Sequence, residues 1–91
     1  EGLDRALVLV GLWLRDVACV MDGAPDLVHA VDRLPQLQED AATLGEHGVH
    51  PHRLRDGVAL IDDTRSGLRE LNLNADLALD ALASRLARVL R

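Results

Sequence analysis

Three histidines crowd one short stretch, Gly45-Glu46-His47-Gly48-Val49-His50-Pro51-His52, and their type and spacing come nearest to chemistry in this chain. Neutral imidazoles bind zinc, but structural zinc sites usually add thiolates, and catalytic ones need three converging ligands held by an ordered second shell. Nothing around His47, His50 and His52 offers that shell, so a solvated loop between helices is expected there. Asp62 and Asp63 are adjacent, and adjacent positions on a helix diverge instead of closing on a substrate. The chain carries no glycine-rich phosphate loop, no nucleophile with a base at hand, and no His-Glu pair at metal spacing. It therefore reads as a non-enzyme with no cofactor and no metal.

The elements that position these residues should be helical. Ninety-one residues make one domain, and a hydrophobic content of 48% suffices for a single core. Strand formers are scarce: there is no Tyr or Phe, and Ile61 is the sole isoleucine. The formal charge of −5 disfavours a nucleic-acid surface, which needs a local excess of cations. All ten basic residues are arginine, a bias that fits GC-rich codon usage. Cys19 is alone, so no internal disulfide forms and a reducing, cytoplasmic location is expected. The longest uncharged run, Ala6 to Leu14, is far short of the ~20 apolar residues of a spanning helix. A chain opening on Glu1 reads as a piece of a longer protein.

Periodicity predicts four antiparallel helices, near residues 3–22, 33–46, 51–70 and 75–91. In the last, Asn74 is placed to cap the first turn and Asp76 to meet the helix dipole. Ala75, Leu79, Leu82, Leu86 and Val89 form its apolar stripe, with Asp76, Asp80, Ser84 and Arg91 opposite. Gly23-Ala24-Pro25 should stop the first helix and Gly48 the second, while Pro35 and Pro51 suit first turns. Between residues 24 and 32 an irregular connector is expected to tuck Leu27, Val28 and Val31 inward. The second helix has a thin stripe of Leu34, Leu37, Ala41 and Leu44, with Gln36, Gln38, Glu39, Asp40 and Glu46 facing water. The third buries Leu54, Val58, Ile61 and Leu68, with Leu71 at the edge. Arg65 interrupts that seam and must snorkel, pair with a carboxylate such as Asp62, or meet another subunit; snorkelling is the expectation.

The first helix is the most informative. Leu3, Leu7, Val10, Leu14, Val17 and Met21 make its main stripe, widened by Ala6, Trp13 and Val20. Val8, Leu12 and Cys19 lie on the far side with Arg5 and Arg15, so the helix is apolar nearly all round. Such helices are buried on more than one side. The row Arg5, Val8, Leu12, Arg15 and Cys19 is therefore the expected subunit interface, covered by a missing segment, a second copy in a homodimer, or another chain.

A run of motifs adds a family. Trp13, Arg15, Asp16, Val17 and Ala18 lie in the long first helix, an irregular connector and short helix follow, and a third helix opens at His50-Pro51. The last begins Asn72, Asn74, Leu77, Leu79, Asp80, Leu82, with Asp80 where the pattern has Glu. This order resembles the C-terminal collar domains of bacterial DNA polymerase III clamp-loader subunits, of the delta-prime kind. The resemblance implies a small all-α bundle, collar-like, at the end of a longer AAA+ subunit. It also implies a non-catalytic module that joins other clamp-loader subunits into a ring for sliding-clamp loading in DNA replication. The family's first collar helix would lie ahead of Glu1 and cover the Val8 and Leu12 face. A gamma/tau collar, or an unrelated helical dimerisation or adaptor domain, is the alternative.

Overall fold

In the computed structural model the described residues are 2–70 and 74–90; the expectations placed on Leu71, Asn72 and Arg91 lie outside them. Four helices account for most of these residues: α1 Gly2–Met21, α2 Leu34–Glu46, α3 Pro51–Glu70 and α4 Ala75–Val89. Two short 3-10 turns, Pro25–Leu27 and Val31–Arg33, punctuate the connector between α1 and α2. The chain is an all-α bundle.

Its helix ends follow from local chemistry. Gly23 and Gly48 both adopt φ of 79°, the left-handed conformation that lets a chain leave a helix without a Cβ clash. Ala24 N–H then reaches the Cys19 carbonyl at 2.9 Å and Val49 N–H the Leu44 carbonyl at 3.0 Å, the wrap-around bonds that close a glycine-terminated helix. Asn74 Oδ1 accepts the Leu77 N–H at 3.1 Å and caps α4.

Neighbour relations are set by α1, which lies between α2 and α3, with α4 beyond α3. α1 and α3 are antiparallel. Asp4 pairs with Arg65 at one end of them and Asp22 with Arg55 at the other. α2 instead runs in the same sense as α1, since Asp40 stands beside Trp13 and Gly45 beside Met21. The connector makes this possible: it carries the chain back along α1 before α2 starts, as a tight helix-helix turn could not.

The core is one cluster. Leu14, Val17, Leu54 and Ile61 are almost fully buried, and Leu7, Ala18, Leu37, Ala41, Val58 and Leu82 complete the interhelix seam. Each large aliphatic buried in this way stabilises by about 1.5–3 kcal/mol. Leu68 and Leu86, expected fully inside, are half-buried against that cluster, because α4 is an edge helix covered on one side only. Gly57 is what lets α4 approach: a Cβ there would stand 3.2 Å from Leu14 Cδ1 and 3.3 Å from Leu86 Cδ2. Of the connector residues expected inside, only Val28 is buried; Leu27 is 70% exposed and Val31 63%. Among the described residues no helix is long and apolar enough to cross a membrane.

Candidate functional site

The Cα trace is a slab of 38 × 26 × 15 Å, and packed helices stand with their axes about 8–10 Å apart, which leaves room for two layers of helix across the thin direction and not three. A slab so thin cannot enclose a helix that is apolar all round. α1 consequently keeps an open row of Leu9, 60% exposed, with Val10 and Trp13. Beside that row, between α1, the connector and the start of α2, lies a cleft of about 370 Å³. Leu9, Leu12, Trp13 and Leu37 form its apolar lining, while Asp16, His29, Arg33 and Asp40 stand at its polar wall.

Hydrogen bonds hold the wall in place. Trp13 Nε1–H donates to Asp40 Oδ2 at 2.9 Å, which fixes the indole across the α1–α2 seam. Arg33 donates from Nε and Nη2 to Gln36 Oε1 at 3.2 and 2.9 Å, tying the turn before α2 to its first helical turn. Asp16 is the buried anchor, only 3% exposed. Its Oδ1 accepts the His29 N–H at 2.8 Å and its Oδ2 the Ala30 N–H at 3.1 Å. No side chain of the connector caps the 3-10 turn that follows, so α1 supplies the acceptor instead.

Asp16 was legible in principle. Its neighbours one turn away in either direction, Leu12, Trp13, Cys19 and Val20, are all apolar, so a carboxylate at that position must be buried with a partner. The pattern shows the need for a partner but not its identity, which lies thirteen residues along the chain.

The row expected as interface is divided by the fold. Arg5 and Arg15 are exposed, but Val8, Leu12 and Cys19 are half-buried. Cys19 packs on the core, and Val8 and Leu12 line a shallow groove of about 130 Å³ against α3, with Arg15 and Val58. The open apolar row is therefore Leu9, Val10 and Trp13, not Val8, Leu12 and Cys19. The physical reason is that α3 covers one flank of α1 along its whole length, so the unpartnered arc is rotated away from it. Val10 and Trp13, placed by periodicity in the inward stripe, lie on that arc. Asp40, expected in water, is half-buried under Trp13.

Arg65 does not snorkel. It pairs with Asp4 across α1 and α3, Nε to Oδ1 at 2.8 Å and Nη2 to Oδ2 at 3.2 Å. That hydrogen-bonded guanidinium holds the Asp4 carboxyl below its usual range and raises Arg65 in turn. The three loop histidines do not converge: His47 Nδ1 bonds the Thr43 carbonyl at 2.8 Å, and the His50 and His52 rings stack with centroids 5.8 Å apart. Among the described residues no group of three or more His, Cys, Asp or Glu is placed to hold a metal ion.

Charge is unevenly spread. Residues 24–46 hold Asp26, Asp32, Glu39, Asp40 and Glu46 against the single cation Arg33, a net −4 of the chain's −5. Of these acids only Asp40 lines the cleft, where it stands with Asp16 of α1 and Arg33. Comparison with known proteins finds no matching family model, no similar curated protein and no similar solved structure.

Proposed function

We propose that this chain is a non-catalytic assembly module, a collar-type domain of a bacterial DNA polymerase III clamp-loader subunit of the delta-prime kind. The observation that carries the assembly role is the apolar row Leu9, Val10 and Trp13, which stands on a well-packed helix next to a cleft whose wall is fixed by hydrogen bonds. A rigid apolar surface beside ordered polar groups is how protein interfaces are built. The clamp-loader part rests on the motif order Trp13, Arg15-Asp16, His50-Pro51 and Asn74 to Leu82. Asp16 adds support, because the motif residue has a definite task in holding the connector. In such a module the partners are the other loader subunits, DNA is contacted elsewhere in the assembly, and the setting is cytoplasmic.

The test is reconstitution. The parent protein is mixed with the remaining clamp-loader subunits, and assembly is read by size-exclusion chromatography with light scattering. Leu9→Asp should abolish incorporation while circular dichroism stays unchanged, since Leu9 is mostly exposed and an interfacial charge without a partner is costly. Full incorporation of the variant would refute the assembly role of this surface. Failure of the unmodified protein to join the loader would refute the clamp-loader assignment.

A further inference from the structure

We infer that α4 is a detachable helix, a lid over α3 that opens as a unit while α1, α2 and α3 stay folded. The helices differ in what holds them. Asp4 with Arg65 and Asp22 with Arg55 pin α1 to α3, Trp13 and Asp40 join α1 to α2, and Asp16 fastens the connector to α1. Among the described residues no side-chain hydrogen bond or ion pair ties α4 to another helix, and the Asn74 cap bonds within α4 itself. Its hold is apolar alone. Leu82 is its one buried side chain, with Leu79, Leu86 and Leu90 half-buried against the core, whereas the largest almost fully buried side chains, Leu14, Val17, Leu54 and Ile61, belong to α1 and α3. A helix with few buried contacts and no polar tie stands at the low end of local opening free energies.

Opening uncovers a defined surface. Gly57, Leu60 and Thr64 share one face of α3 at spacings of three and four, and Leu86 Cδ2 and Leu90 Cδ2 lie 3.3 and 4.0 Å from where a Gly57 Cβ would stand. The Thr64 hydroxyl donates to the Leu60 carbonyl at 2.9 Å, so that face carries no unpaired hydroxyl donor. Glycine is a poor mid-helix residue, and its place in α3 is explained by the close approach it permits. The released segment stays biased toward helix, and so toward re-docking: Asn74 caps it, Asp76 and Arg88 match its dipole, and Ala, Leu and Arg dominate it. No α4 residue lines the cleft beside Trp13, so the open state keeps the α1 row and adds the α3 seam to it.

Hydrogen exchange of the full chain, resolved by nuclear magnetic resonance at rising sub-denaturing urea, tests this. The amides of Leu82 and Leu86 should exchange about a hundredfold or more faster than those of Val17 and Ile61, with a weaker urea dependence because the opening exposes less surface. Leu37 packs between α1 and α2, so Leu37→Ala weakens the closed and open states alike. It should speed exchange in α1 and α3 and leave α4 unchanged. Leu86→Asp should do the reverse, with α4 amides exchanging as in an unfolded chain while Val17 and Ile61 stay protected. Equal protection and urea dependence in all four helices, a Leu37→Ala effect as large in α4 as in α1, or loss of protection throughout in Leu86→Asp would overturn the inference.

Discussion

Removing the Asp16 carboxylate is the perturbation that best separates the fold's logic from its helical propensities. Asp16→Ala deletes the acceptor for the His29 and Ala30 N–H groups, held at 2.8 and 3.1 Å. Hydrogen bonds to a carboxylate contribute about 1.5–3 kcal/mol each, so the upper bound for two is about 3–6 kcal/mol. Two effects reduce it. His29 is exposed, so water can reach its freed N–H, and deleting a buried carboxylate also removes that group's own desolvation cost. The expected loss is about 2–4 kcal/mol, a large part of the stability of a domain this size. Asp16→Asn keeps one acceptor oxygen but turns an NH₂ toward the second donor, so it should recover no more than half. Urea melts followed by far-UV circular dichroism measure the loss, and hydrogen exchange at His29 and Ala30 locates it. Because the connector walls the cleft beside Trp13, its emission should also shift red in the folded variant. A loss under about 1 kcal/mol with unchanged exchange at both amides would refute the reasoning and leave the burial of Val28 as the connector's anchor.

Leu82→Ala should cost about 2–5 kcal/mol in the same melt, since Leu82 is the buried contact of α4 and its removal leaves a cavity. Gly57→Ala pits a helix-propensity gain of about 1 kcal/mol against overpacking of about 1–3 kcal/mol. With Leu14 almost fully buried and unable to yield, the net should be a loss of about 1 kcal/mol, and stabilisation would show that α4 rests less closely on α3 than the 3.2 and 3.3 Å approaches imply. Asp4, its carboxyl lowered chiefly by the Arg65 hydrogen bond, contributes stability that is complete above its ordinary value of 3.8 and lost as pH falls through the lower folded value. Thermal melts of Asp4→Asn should therefore lack part of the acid-side decline of the unmodified chain, and identical decline in both would mean that the pair does not form.

Much of this protein was legible along the chain because helices are local. The 3.6-residue period places Leu14, Val17, Ile61 and Leu82 inside, Gly23 and Gly48 end helices because a left-handed residue must follow the last turn, and Asn74 caps because its side chain reaches its own helix. Each of those outcomes depends on groups within about one turn of each other. Tertiary packing decided the rest. An all-round apolar helix has no preferred arc until its neighbours arrive; α3 took one flank of α1 and α2 another, leaving Leu9, Val10 and Trp13 open and half-covering Val8, Leu12 and Cys19. The same holds for charged partners. Asp16 with His29 and Ala30, Trp13 with Asp40, and Arg65 with Asp4 are joined across 13 to 61 residues. Periodicity can show that a buried charge needs a partner, but which one it meets follows from the direction of α2, and that was set by a connector long enough to carry the chain back along α1.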